Sequence, residues 1–358
     1  MSDVILSTHE LHKRFTSSRG VLGAPSHIYA VNGVSLSIRR GETFAIVGES
    51  GCGKSTLARL LLRLLDPSEG QVIYEGQDLT ALPAAEMRKL RAQMQFIFQD
   101  PFSSLNPRMT VESIVGEPLL VHGTLTRKER REKVADLLRK VGLRPDHADR
   151  FPHEFSGGQR QRICVARALA SGPKLLIGDE PVSALDVSVQ AQIVNLLEDL
   201  KEDFGLTLII IAHDLSVIRH MADRVAVMYL GEVVELAATE ALYTTPRHPY
   251  TRALLTAIPV PMPGARGQIA PLGGDIPSPA NPPEGCKFHT RCPYATEICK
   301  TTRPVLENAE AHQTACHHWR NLPPLGTDAA VTAPRSAATE ARFALYRDAA
   351  SKAAGHSK

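Results

Sequence analysis

The chain has 358 residues, enough for a sizeable core spread over about two domains. Hydrophobic residues make up 43% and charged residues 22%, the balance of a soluble globular protein. A formal net charge of +3 from dispersed basic residues is too small an excess to argue for nucleic-acid binding, and no apolar run approaches the ~18–20 residues of a membrane span.

The opening stretch, MSDVILSTHELHKRF, carries an early acid and lacks the apolar core of a secretory signal. A cytoplasmic chain is expected, one that needs no span of its own to bind a membrane partner. From Met1 to about Ala238, short apolar runs alternate with helical stretches, an α/β pattern. GETFAIVG reads as a buried strand and GKSTLARLLLRLL as the helix after it. MQFIFQD, KLLIGDE and LTLIIIAHD are further apolar runs, each ending in a polar residue. Ligands of open parallel sheets sit at the carboxyl ends of the strands, so these endings are expected to face one site. Between Gln99 and Ser171 the strand signals fade, and TRKERREKVADLLRKVGL places Val134, Leu137, Leu138 and Val141 at helical spacing. That predicts a helical subdomain over about 100–171, inserted into a sheet domain spanning 1–244. From about Thr245 the composition turns to Pro and Gly, predicting segments over 245–320 that wrap or link and build no large core. The tail over 321–358 is Ala-rich. TEARFALYRDAASKAA has helix propensity there, but terminal disorder is expected.

GESGCGKST matches the phosphate-binding loop pattern at Gly48, Gly53, Lys54 and Ser55, between a strand and a helix as the mechanism requires. Glycines let backbone N–H groups turn inward onto phosphate oxygens, and the helix N-terminus adds partial positive charge. The run Gly48, Glu49, Ser50, Gly51, Cys52, Gly53, Lys54, Ser55 and Thr56 is therefore a candidate nucleotide site. Lys54 is expected to reach the β- and γ-phosphates and Ser55 to ligate Mg2+. Asp179 ends the apolar run KLLIGDE, where it would hold Mg2+ directly or through water. Glu180, one residue on, would accept a proton from an attacking water or orient it. In EFSGGQRQR, residues Ser156, Gly157, Gly158 and Gln159 open a predicted helix through Ala170, a second anion-binding helix N-terminus. One nucleotide needs one such loop, so a second requires a reason.

Taken together, these motifs resemble an ABC-type ATPase subunit. GESGCGKST is similar to the Walker A motif and FIFQD to the Q-loop, with Gln99. FSGGQ resembles the signature, with Phe155 where Leu is commoner. LLIGDE resembles Walker B, Ser183 to Asp186 the D-loop, and IAHD the switch histidine, His213. The implied fold is an α/β P-loop ATPase domain with an inserted helical subdomain. The resemblance implies two such domains packed head to tail, with ATP and Mg2+ sandwiched between the Walker A of one and the signature of the other. Ser156, Gly157, Gly158, Gln159 and Asp186 would then serve the partner's nucleotide. Glu180 would polarise the water, His213 would contact the γ-phosphate, and Gln99 would sense it beside the metal. Phe15 fits the aromatic that stacks on adenine, with Tyr29 a competitor, because stacking needs only a flat apolar face.

The resemblance continues to about Trp319. HPYTRALLTAIP and GDIPSPANPPEGCKFHTRCPYATEIC look like the C-terminal extension of oligopeptide and dipeptide importer ATPases, and SGGQRQR with VARAL resembles their F-type subunit. This implies ATP-driven uptake of short peptides with a second, different ATPase subunit, two transmembrane permeases and, indirectly, an extracytoplasmic binding protein. It places the chain at the cytoplasmic face of a bacterial inner membrane. Relatives that move nickel or glutathione leave the cargo open. A soluble, non-transport ATPase is the alternative, but such proteins usually carry coiled-coil insertions or two fused ATPase domains, and no heptad run is present.

Six cysteines are too sparse for a disulfide scaffold, yet Cys286, Cys292, Cys299 and Cys316 crowd into one short region. Five, six and sixteen residues separate them, without the close Cys-x2-Cys pairs usual for zinc. Such spacing is compatible with a four-thiolate iron–sulfur site. The family resemblance implies a [4Fe–4S] cluster, with Zn2+ or unmetallated thiols as the alternatives. His289, His312, His317 and His318 lie close enough to replace a thiolate around zinc; otherwise they read as an exposed polar surface. A metal would staple a Pro-rich segment that has little core of its own.

Overall fold

The computed structural model describes residues 3–17, 26–123, 125–257, 276–309 and 311–323. Its elements follow the apolar runs in chain order. The strands β1 (Val4–Ser17) and β2 (Ser26–Arg39) lead into β3 (Thr43–Val47) and helix α1 (Lys54–Leu61). Then come β4 (Glu69–Tyr74), β5 (Gln77–Asp78), α2 (Ala84–Leu90) and β6 (Met94–Ile97). Helices α3 (Pro101–Ser104), α4 (Val111–His122), α5 (Arg127–Lys140) and α6 (Gly157–Leu169) occupy the next stretch. Alternation resumes with β7 (Leu175–Asp179), α7 (Val187–Phe204), β8 (Thr207–Ala212), α8 (Leu215–Met221), β9 (Arg224–Tyr229) and β10 (Glu232–Ala238). The described C-terminal elements are α9 (Thr239–Thr244), α10 (Pro249–Thr256), α11 (Glu297–Thr301), β11 (Glu307–Ala309) and β12 (His312–Thr314).

Two sheets carry the strands. The smaller is antiparallel with order β2-β1-β4-β5, and the larger has order β11-β12-β10-β9-β3-β8-β7-β6. In the larger sheet, β9, β3, β8, β7 and β6 are parallel neighbours. Strands β3, β7 and β8 are buried along their whole length, which explains why they read as unbroken apolar runs with no alternation. One core lies between the larger sheet and helices α4 to α8, and the other between the two sheets around α1.

The helical stretch forms for local reasons. Thr126 and Glu129 close a capping box at the start of α5, the Thr126 hydroxyl accepting from the Glu129 N–H and the Glu129 carboxylate from the Thr126 N–H. Val134, Leu137, Leu138 and Val141 are all buried, as their spacing predicts. Gly205, in the left-handed region, ends α7.

The C-terminal segments correct an expectation. Pro and Gly content predicts a strap that only wraps or links. Instead, β12 pairs antiparallel with β10 and β11 with β12, so these segments extend the main sheet. Tyr250 and Phe288 are fully buried in the main core, their ring centroids 5.4 Å apart. Strands of three residues with one bulky aromatic anchor are too short to leave a periodic signal, and they can sit between prolines. Beneath this edge lies Glu235 of β10, wholly buried. Its carboxylate accepts from the backbone N–H groups of Arg247 at 2.6 Å and His248 at 2.9 Å, and pairs with His312 Nε2 at 2.6 Å. His312 therefore belongs to a buried hydrogen-bonded pair and is 3% exposed, contrary to the reading of an exposed polar surface. Residues 258–275 and most of the Ala-rich tail, 324–358, lie outside the described residues.

Candidate active site

The register of the parallel strands brings their carboxyl ends to one edge. Val47 pairs with Ala212, Asp179 with Ile211, and Ile97 with Gly178. Gly48 to Ser55, Gln99, Asp179, Glu180 and His213 all follow from those ends, as the polar run-endings predict.

The loop between β3 and α1 is held from below. Gly53 adopts φ +106°, and a Cβ there would lie 2.0 Å from the Ala30 carbonyl oxygen, so only glycine fits. Lys54 is buried and folds back, its ammonium donating to the carbonyls of Gly48 at 2.7 Å and Glu49 at 3.0 Å. The Ser55 hydroxyl donates to Asp179 Oδ1 at 2.9 Å. Burial raises the Asp179 carboxyl above the usual range; the Ser55 hydrogen bond opposes that shift and neighbouring Glu180 adds to it. A buried carboxylate beside a hydroxyl is a donor pair that Mg2+ would satisfy, supplying charge neutralisation for phosphate oxygens when bound.

Glu180 is the focus of the edge. Gln99 Nε2 donates to Glu180 Oε2 at 2.8 Å, and His213 Nδ1 lies 3.3 Å from the same oxygen. The Glu180 side chain is 13% exposed and its backbone sits at φ +47°, an unfavourable conformation for a non-glycine residue. The Glu180 N–H donates to the Ile211 carbonyl at 3.0 Å, which fixes that conformation.

The second loop forms as its sequence predicts. Ser156 caps α6 reciprocally with Gln159, their side chains accepting from each other's backbone N–H. A Cβ on Gly158 would meet Val189 Cγ1 at 2.5 Å, so this loop packs against the start of α7, whose N-cap is Asp186. Phe15 on β1 is 40% exposed, with Lys13 Nζ 5.3 Å from its ring centroid. Tyr29 is half-buried, and its backbone N–H donates to Pro279 O.

Cys286, Cys292, Cys299 and Cys316 line one cavity with His248, His289, His317 and His318. None forms a disulfide. Burial, with the other thiols adding to it, pushes Cys286 up to about 12 and Cys316 up to about 11. Among the described residues, no three His, Cys, Asp or Glu side chains converge to hold a single metal ion. The thiols thus share a cavity without meeting at one point. Two residues outside the ATPase motifs also reach the Gly48–Ser55 loop: Tyr250 and Arg291, both contacting Glu49; their extension motifs are legible in the sequence, the contact is not.

A P-loop nucleoside triphosphatase is the class these features define. The ABC transporter family matches residues 31–183, and the oligopeptide/dipeptide transporter C-terminal region matches residues 234–299. An oligopeptide transport ATP-binding protein of Bacillus subtilis, AppF, is 53% identical over 88% of this chain and 97% of its own length. A di/tripeptide transport ATP-binding protein of Pseudomonas aeruginosa, DppF, is 48% identical over 88% and 98%. Among solved structures, the ATP-binding cassette MJ0796, described as a dimer in a post-hydrolysis state with ADP and phosphate, has a TM-score of 0.59. It is 31% identical over 66% of this chain and 99% of its own. The chain belongs to the ATP-binding subunits of the oligopeptide/dipeptide ABC transporters, and its reaction is ATP hydrolysis coupled to transport. No helix among the described residues is long and apolar enough to cross a membrane.

Proposed function

We propose that this subunit hydrolyses ATP at the carboxyl edge of its main sheet to drive import of di- or oligopeptides. The peptide names of its relatives support that cargo. The observation that carries the catalytic reading is the array Gln99–Glu180–His213, centred on one carboxylate oxygen beside the Ser55–Asp179 pair. In this reading, Lys54 leaves its two carbonyl partners for the phosphates, and Ser55 and Asp179 hold Mg2+, with Gln99 joining them. Glu180 takes the proton of the attacking water, His213 steadies the γ-phosphate, and Gln99 reports its presence to the membrane partners. Ser156, Gly157, Gly158, Gln159 and Asp186 serve a nucleotide held by a second, different ATPase subunit, this chain being the F-type partner. The dimeric state of the similar cassette supports such a sandwich. Two permeases at the cytoplasmic face of the membrane, fed by an extracytoplasmic binding protein, would take up the motion.

Glu180→Gln tests the assignment. Hydrolysis should fall by about 100-fold or more while ATP stays bound and the subunits stay associated. Turnover at the wild-type rate would overturn the role given to Glu180.

The four-thiol cavity supports a second element of the proposal, an iron–sulfur cluster with a structural role. Each thiolate of a four-iron cluster binds its own iron, so the thiols need only ring a common cavity. Anaerobic purification with iron and acid-labile sulfide analysis should find both in the folded protein. Zinc without iron would overturn this element.

A further inference from the structure

The cysteine-bearing segment touches the phosphate loop directly. Arg291, the residue before Cys292, forms a forked pair with Glu49: Nη1 to Oε2 at 2.6 Å and Nη2 to Oε1 at 3.0 Å. The Arg291 side chain is only 4% exposed. The guanidinium also lies 5.9 Å from the ring centroid of Tyr229, which packs edge-on against Phe288. From α10, the Tyr250 hydroxyl accepts from the Glu49 N–H at 2.8 Å, and the Tyr250 ring is wholly buried. Glu49 is therefore held at its backbone and its carboxylate by two residues that lie outside the ATPase motifs.

A second route reaches the same loop. Lys287 Nζ donates to the Leu230 carbonyl at 3.0 Å and pairs with Glu232 Oε1 at 2.9 Å, fixing the turn between β9 and β10. At that turn, the Gly231 N–H donates to the Cys52 carbonyl at 2.8 Å. The extension thus fixes the loop at Glu49 and, through the turn, at Cys52. Both positions lie within the loop whose backbone N–H groups must point at phosphate oxygens, and preorganised donors are what such a loop contributes to binding.

We propose that Arg291, together with Tyr250, is a positioning residue for the ATP site: the C-terminal module sets the geometry of the phosphate loop through Glu49. This rests on reading Gly48 to Ser55 as the phosphate cradle. Guanidinium and carboxylate match as a planar fork, which fixes orientation as well as distance; a lysine would supply charge without the fork.

The test uses the full-length chain, Mg–ATP titration and steady-state hydrolysis. Arg291→Ala should weaken Mg–ATP affinity and raise KM by about tenfold, with kcat at saturating ATP changed much less. Arg291→Lys should recover part of the affinity, and Tyr250→Phe should raise KM a few-fold. An anchor that merely attaches the extension would lower the melting temperature and leave Mg–ATP affinity at the wild-type value, and that outcome would overturn the proposal. Should Arg291→Ala fail to fold, wild-type KM in both Arg291→Lys and Tyr250→Phe would overturn it equally. Lys54→Ala separates the two levels. Loss of Mg–ATP binding in Lys54→Ala alone upholds the phosphate cradle and rejects the clamp; retention of binding rejects both.

Discussion

Two glutamates show how differently the two halves of this molecule use a carboxylate. Glu180, at the edge of the parallel sheet, has a strained backbone, is partly open to solvent, and shares one oxygen between Gln99 and His213. Glu235, under the C-terminal extension, is wholly buried and satisfied by two backbone N–H groups and His312. The first carboxylate holds only side-chain partners and is partly open to solvent, as a group must be if it is to exchange those partners for a water and a phosphate. The second joins β10, the entry to α10, and β12, leaving nothing to exchange. In the proposed reading one edge serves chemistry and the other attachment, and Arg291 links them.

The largest effect that could break this comparison is on stability. Glu235→Ala removes a buried carboxylate and strands the His312 ring with two backbone donors. It should cost about 3–5 kcal/mol, seen as a steep fall in the denaturant midpoint. Glu180→Gln, in contrast, should shift stability by no more than about 1 kcal/mol while abolishing turnover. If Glu235→Ala unfolded at the wild-type midpoint, Glu235 would not be the residue that attaches the extension. Between these extremes falls Arg291→Ala, which should lower stability and raise the KM for ATP with kcat changed much less, because its side chain belongs to the extension and its partner to the phosphate loop.

The two halves also differ in how much of them can be read from residue order. Gly48 to Ser55, Gln99, Asp179, Glu180 and His213 each close a short apolar run, and a parallel sheet must bring such endings to one edge. Local sequence therefore reaches the site, although which atoms meet at Glu180 follows only from the packed register. The helical stretch is legible for the same local reason, through the spacing of Val134, Leu137 and Leu138. In the extension the decisive pairs are distant. Glu235 and His312 are 77 residues apart, and Arg291 and Glu49 are 242 apart. No periodicity spans such separations. The Pro-rich composition pointed away from a core because the three-residue strand β12 and the single ring of Phe288 leave no pattern. The cysteines stood out by clustering alone, and their common cavity follows from the turn at Cys286 and the strand that precedes Cys316.

The smallest expected effect sharpens the comparison at the one point where local sequence leaves two candidates, Phe15 and Tyr29, for stacking on adenine. Tyr29 is tied into the attachment network: its N–H donates to the Pro279 carbonyl, and the next carbonyl, of Ala30, lies beneath Gly53. Phe15 is 40% exposed on a neighbouring strand, opposite Ile28, with Lys13 over its ring. An open ring face with a cation already beside it can receive a second flat group with little rearrangement; a residue whose backbone supports the phosphate loop cannot move toward one. Phe15→Leu should therefore weaken binding by about 0.5–1.5 kcal/mol, a two- to tenfold rise in KM for ATP with kcat held. Binding of inorganic triphosphate, which has no base to stack, should be unchanged in that variant. Tyr29→Leu should weaken both ligands together, through the loop and not the base. The reverse pattern would assign the stacking ring to Tyr29.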